Sequence, residues 1–263
     1  MRRNLRFIWL LIRLKLSRMM IFRFNFFVAF LADGTLFLMQ LLAFQAIYSQ
    51  VDSIGGWNRG QMIVFVGTFS IINALNMCLY FFGINDLPGK IKRGDLDQYL
   101  TKPVSPLLRL SFENIDPGSG LMALLSVMVV LYGVSAAGVK VSFMLALGYT
   151  SLVLLMTLLW YDVMLIIRSL TFLIISAEGI QRLVEQFLDL NFRIPGVLYK
   201  GIFKVIFYFL LPYGIMATIP TQVITRSASA AGVISALMVV VFFTAFALWL
   251  WKFGLKHYKS ASS

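Results

Sequence analysis

The stretch Asn85–Leu108, NDLPGKIKRGDLDQYLTKPVSPLL, is a polar island in a chain that is otherwise strongly apolar. It carries Lys90, Lys92, Arg93, Asp95 and Asp97, together with three of the seven prolines. Asn85 or Asp86 can cap a helix, and Pro88 suits its first turn, where no intrahelical N–H bond is lost. Leu87 follows the cap, and Ile91, Leu96, Tyr99 and Leu100 can share one apolar side. Gly94 weakens the middle of such a helix, and Pro103 and Pro106 end it. A loop that merely joins two spans needs no apolar stripe. The stretch therefore predicts a short amphipathic helix between turns, with something in water to touch.

Its surroundings predict a membrane protein. The chain has 263 residues, 60% hydrophobic and 13% charged, with a mean hydropathy of +0.85. Soluble domains carry about 25% charged residues. The length allows roughly six spans of about 20 residues each. The net charge of +12 sits between apolar runs, where it sets topology and does not point to nucleic acid. The single cysteine, Cys78, excludes an internal disulfide and argues against a cysteine metal site.

Outward from the polar island, the apolar runs predict spans over 24–48, 61–83, 118–138, 141–165, 202–222 and 231–251. Residues 1–22 are basic and lack acids, with Leu5, Ile8, Trp9, Ile12, Leu16 and Met19 on one helical face. That pattern predicts an amphipathic helix lying among the headgroups of a membrane. A cytoplasmic helix is expected over 177–190. Asp33 falls inside the first span, where an acid is costly and either serves function or reaches the interface. Asn73 and Asn76, three apart on the second span, share a face and suit contacts between helices. Asp162 and Arg168 fall in the long fourth apolar run, toward its inner end. Pro212, Tyr213 and Pro220 lie where the fifth run breaks. A bent or re-entrant segment and a simple proline kink both fit there.

Twenty of the 23 basic residues fall in segments assigned to one side: the amino end, the polar island, Arg168–Lys204 and the carboxyl end. Arg59, Lys140 and Arg226 fall on the other. This asymmetry places both termini and the polar island in the cytoplasm. Catalytic groups are scarce. His257 is the only histidine, so neither a histidine metal cluster nor a serine–histidine triad can form. Gly89-Lys90 is followed by Ile91 and is no phosphate-binding loop.

The run Ile91, Gly94, Leu96, Asp97, Leu100, Pro103 and Val104 has the form I-x-x-G-x-L-D-x-x-L-x-x-P-V. It resembles the signature of bacterial ABC transporter permeases of the type-2 exporter class. Phe22-Arg23-Phe24-Asn25-Phe26, Gly56-Trp57 and Tyr258-Lys259-Ser260-Ala261 are similar to that family as well. The resemblance implies an all-α polytopic protein of six spans with an amino-terminal interfacial helix and a cytoplasmic coupling helix between spans two and three. It implies a second permease, identical or homologous, and two ABC ATP-binding subunits that hold the ATP and magnesium, in the bacterial cytoplasmic (inner) membrane. The chain itself is expected to bind no cofactor and no metal. The expected coupling surface is Leu87, Ile91, Lys92, Arg93, Gly94, Asp95, Leu96, Asp97, Tyr99, Leu100 and Pro103, with its apolar stripe seated in a groove of the ATPase. Two other classes remain: a membrane-embedded enzyme acting on lipid through Asp33 or Asp162, and a scaffold or channel subunit that does not transport.

Overall fold

The computed structural model describes residues 23–174 and 194–258, with a few isolated positions besides. The helices expected over 1–22 and 177–190, and the tail beyond Tyr258, lie outside those residues. Among the described residues the fold is all-helical, without a strand. The chain begins with α1 (Arg23–Tyr48) and α2 (Arg59–Leu79). Four short helices follow: α3 (Phe81–Asn85), α4 (Leu87–Arg93), α5 (Asp97–Leu100) and α6 (Pro106–Phe112). Then come α7 (Ser119–Ala136) and α8 (Phe143–Ser169). After residue 194 the chain forms α9 (Gly201–Val205), a π turn over Ile206–Leu210, α10 (Tyr213–Met216), α11 (Thr218–Ile224) and α12 (Ala230–His257). Five of these helices, α1, α2, α7, α8 and α12, are long and apolar enough to cross a membrane.

Local sequence sets the helix starts. Asn58 and Gln61 form a reciprocal capping box at α2, with both hydrogen bonds at 2.9 Å. The Ser142 and Ser229 hydroxyls accept from the backbones of Leu145 and Gly232 and cap α8 and α12. The Asp116 carboxylate accepts from Gly118 N and Ser119 Oγ and opens α7. The path after Phe112 is thereby fixed: a short turn that carries Glu113 inward and Asp116 to the head of α7.

The closest helix pair is α2 with α7, which small residues hold together. A Cβ on Gly67 would stand 2.7 Å from Val130 Cγ2, and one on Gly133 would stand 2.8 Å from the Val64 nitrogen. The Ser126 hydroxyl reaches Ser70 Oγ across the pair at 2.7 Å. Lipid is as apolar as leucine, so close backbone approach and interhelical hydrogen bonds associate helices where the hydrophobic effect cannot. Elsewhere Thr68 and Tyr149 share a 2.8 Å hydrogen bond between α2 and α8. Thr244 on α12 donates to the buried carboxylate of Asp162 on α8.

The bundle has two distinct ends. At one, a Cβ on Gly60 would collide with the backbone of Ala137, so the α1–α2 and α7–α8 loops lie side by side. At the other, the ends of α2 and α8 meet α3 to α6, and Arg168 donates to Asn85 Oδ1.

The fifth apolar run, expected to span 202–222 with a bent or re-entrant segment or a proline kink within it, bends by 80° between Gly201–Leu210 and Tyr213–Ile224. Its approach lies against the α1–α2 loop, where a Cβ on Gly55 would meet Leu198 at 2.9 Å. Its exit lies against the α7–α8 loop, where Arg226 Nη2 donates to the Lys140 carbonyl at 3.0 Å. Both limbs therefore open at the same end of the bundle. At the bend, Tyr213 packs on Trp160 at 6.3 Å, and Trp160 packs on Phe69 at 5.6 Å. The break is at Leu211–Pro212, since Pro220 lies in the first turn of α11, where a proline costs no helix bond. Lys200 and Lys204 consequently leave the larger basic group and join the end that holds Arg59, Lys140 and Arg226.

Candidate functional site

The polar island folds as a compact helical cap on the end of the bundle that receives Arg168. Tyr80 breaks the helix, with φ −147°, and the chain turns into α3. There α3 lies directly on α6, because Gly83 has no Cβ to collide with the Leu110 carbonyl. Pro88 falls in the first turn of α4, and Gly94 ends that helix with φ +74°. This left-handed conformation favours glycine, which explains why the motif has one there.

Electrostatics hold the cap together. Lys90 Nζ pairs with Asp86 Oδ2 at 2.6 Å and with Glu113 Oε1 at 2.8 Å. The Tyr99 hydroxyl donates to the same carboxylate, 2.7 Å from Glu113 Oε2. The Arg109 guanidinium lies over the Tyr99 ring at 4.3 Å, and its Nη1 donates to the Gln98 carbonyl at 3.3 Å. The side chains of Lys90 and Glu113 are only 9% and 16% exposed, so solvent screens this pair little. Burial alone would lower the pKa of Lys90, but hydrogen bonds to Asp86 and Glu113, and the charge of Glu113, raise it above its ordinary value. Burial, and then Glu113, push the Tyr99 phenol up to about 12. At the exposed edge of this cluster, Arg93 pairs with Asp95 at 2.8 Å and with Asp86 at 3.6 Å.

The apolar stripe does not point where the sequence suggested. Leu87 and Leu96 are completely buried and Tyr99 nearly so, all three within the chain's own core. Ile91 is half-buried against that core, and only Leu100, 44% exposed, faces outward. The reason is the left-handed turn at Gly94, which separates α4 from α5 and aims the buried side chains of both at the bundle. Of the eleven residues expected to form the coupling surface, Lys92, Arg93, Leu100 and Pro103 are exposed, with Gly94, Asp95 and Asp97 partly so. Asp97 also faces Tyr258, which follows α12, and after burial it contributes to the raised pKa of that phenol.

Sequence pattern does not mark Asp86 and Lys90 as members of the fastening or Glu113 as its centre. The available signal for Glu113 was its isolation: it is the one acid between Asp97 and Asp116.

The other candidate residues do not converge on one place. Asp33 lies on an exposed face of α1 with Leu31 and Leu36 and forms no ion pair among the described residues. Asn76 is completely buried on α2, and neither side-chain atom finds a hydrogen-bond partner among the described residues, contrary to the interhelical bond expected. Asn73 beside it is half-buried. Pro212 and Tyr213 form the bend described above. No group of histidine, cysteine or acidic side chains suited to a metal occurs among the described residues.

A family model described as ABC-2 family transporter protein matches residues 35–262. No curated protein and no solved structure matches the chain. The match covers every described helix except the first turns of α1, and it includes the whole helical cap.

Proposed function

Because this chain belongs to the ABC-2 family of transporter proteins, we propose that it is the membrane-spanning permease subunit of an ATP-driven exporter. It forms a translocation pathway with a second permease, identical or homologous, and is driven by two separate ATP-binding subunits. Those subunits hold the ATP and magnesium. The helical cap is the coupling element, and by the charge rule both termini and the cap face the cytoplasm of a bacterial inner membrane.

The observation that carries this reading is the fastening of the cap. Through Leu87, Leu96 and Tyr99 it is part of the core, and through Lys90–Glu113 and Arg168–Asn85 it is tied to the turn after α6 and to α8. An element fastened in this way transmits a push from outside to the spans as a rigid body. Its outer rim, Lys92, Arg93, Leu100, Lys102 and Pro103, is exposed and is the surface a partner would meet. The contact is then a charged rim around one apolar residue, and not a stripe in a groove.

A second permease is supported by α1. Asp33 on an exposed apolar face would be costly against lipid, and a facing subunit would remove it from hydrocarbon. Gentle purification of the tagged chain, with mass spectrometry of its companions, tests the assembly. A nucleotide-binding subunit in equal amount supports it, and a chain that emerges alone without ATPase activity opposes it.

A further inference from the structure

The α1–α2–α7 corner contains a cleft of about 420 Å³ that the coupling reading does not use. Three stretches line it: Leu41 to Tyr48 on α1, Arg59 to Val66 on α2, and Leu125 to Tyr132 on α7. Each covers seven helical steps, or about 10 Å at 1.5 Å per residue. Tyr48 and Arg59 flank the α1–α2 loop, and Tyr132 lies one turn from the end of α7, so the cleft begins at the end of the bundle opposite the cap. From there it extends about a third of the way through a hydrocarbon core of roughly 30 Å.

Its chemistry changes with depth. At the mouth are Arg59, Gln45, Tyr48 and Tyr132. Further in are Leu41, Met62, Val66, Leu125 and Val129. Arg59 is exposed and forms no ion pair among the described residues, and it is the only charged side chain lining the cleft. Tyr132 is 62% exposed, while the Tyr48 hydroxyl is already used, donating to the Trp57 carbonyl at 2.9 Å. An apolar cleft with a cation and a phenol at the water boundary complements a molecule with an acyl chain and an anionic head. Its volume falls in the range of small-molecule sites.

We infer that this cleft is a binding site for an anionic phospholipid of the surrounding bilayer, with one acyl chain between α1, α2 and α7 and the phosphate at Arg59. The site lies in the leaflet away from the cap, so it is separate from any ATPase contact. It rests only on the chain spanning a membrane. The lipid fills the gap between α1 and the tightly packed α2–α7 pair, and thereby sets how α1 is held.

Native mass spectrometry of the purified protein tests this, with phosphatidylglycerol or phosphatidylcholine of matched chains titrated after delipidation. The expected result is one retained phosphatidylglycerol per chain and weaker phosphatidylcholine. A charge near a membrane surface contributes enough for Arg59→Gln to weaken phosphatidylglycerol about fivefold, without effect on phosphatidylcholine. Val129→Trp, which fills the cleft and keeps Arg59, should weaken both lipids. Unchanged thermal stability of the two variants in detergent shows that they fold. Equal retention of the two lipids by the unaltered protein, or unchanged phosphatidylglycerol binding in a folded Arg59→Gln variant, overturns the inference. So does a folded Val129→Trp variant that binds as before, because the lipid then lies elsewhere or a second copy of the chain covers the cleft.

Discussion

Replacing Glu113 with alanine removes the acceptor that Lys90 and Tyr99 share. Lys90 keeps Asp86, whose side chain is 44% exposed, and Tyr99 is left with a buried hydroxyl that has lost its carboxylate acceptor. A hydrogen bond to a charged group contributes about 1.5–3 kcal/mol. Since Asp86 takes up part of the loss at Lys90, the net cost is about 2 kcal/mol, carried locally by the cap. That corresponds to roughly a thirtyfold rise in the opening equilibrium. Hydrogen exchange with peptide-level mass spectrometry reads this directly. Protection should fall about thirtyfold in peptides covering α4 to α6 and stay unchanged in α7 and α12. Glu113→Gln keeps an acceptor for Tyr99 and should give a smaller effect. A change below threefold in Glu113→Ala, or an equal loss across all helices, would refute the view that this carboxylate fastens the cap.

Other perturbations separate the same ideas. Leu96→Ala, at a fully buried position, should cost about 2–5 kcal/mol in the cap. Leu100→Ala, at an exposed one, should leave thermal stability unchanged and reduce ATP-dependent transport. Lys90 and Tyr99 both have raised pKa values, so the folded cap holds its protons more tightly than the unfolded chain. Its stability is therefore full below about pH 10, where the unfolded groups titrate. It should fall as pH rises toward the folded values, and thermal unfolding at pH 8 and pH 11 should show a smaller difference in Glu113→Ala than in the unaltered chain. Asn76→Leu removes a buried amide without partners among the described residues and should stabilise the bundle by about 1–2 kcal/mol. A loss of transport in that stabilised variant would place Asn76 on the pathway. A Cβ at Gly67 would stand 2.7 Å from Val130 Cγ2, so Gly67→Leu forces α2 and α7 apart and should abolish monodisperse protein on size exclusion.

Much of this architecture is legible in the sequence, for identifiable reasons. Long apolar runs place α2, α8 and α12, whose starts fall within two residues of the expected spans while their ends differ by four to six. Pro88 marks the start of α4, but Gly94, expected in the middle of one helix, ends it, and Asp97–Leu100 forms a separate helix. Periodicity failed at the apolar stripe because it gives which residues share a side, not whether that side meets the protein or its surroundings. Leu96 and Tyr99 turned inward because Gly94 redirects the chain, a tertiary consequence of one dihedral. The charge pattern failed at Lys200 and Lys204 for a related reason. A sequence places basic residues on a side only through the number of crossings before them, and the bend at Leu211–Pro212 changes that number. The isolation of Glu113 as an acid was a signal, but its role was not legible because its partners lie 23 and 14 positions away, and no local pattern joins them.

The account rests most heavily on the outer rim of the cap meeting an ATP-binding subunit. A photo-crosslinking residue placed at Leu100, and in a separate variant at Lys102, should be activated in native membranes and the adducts identified by mass spectrometry. The account predicts a covalent adduct to a nucleotide-binding subunit from both positions, changed in yield by ATP, and none from a control at Lys140 on the opposite end. Adducts to lipid alone at Leu100 and Lys102, or a nucleotide-binding subunit captured equally from Lys140, would contradict it.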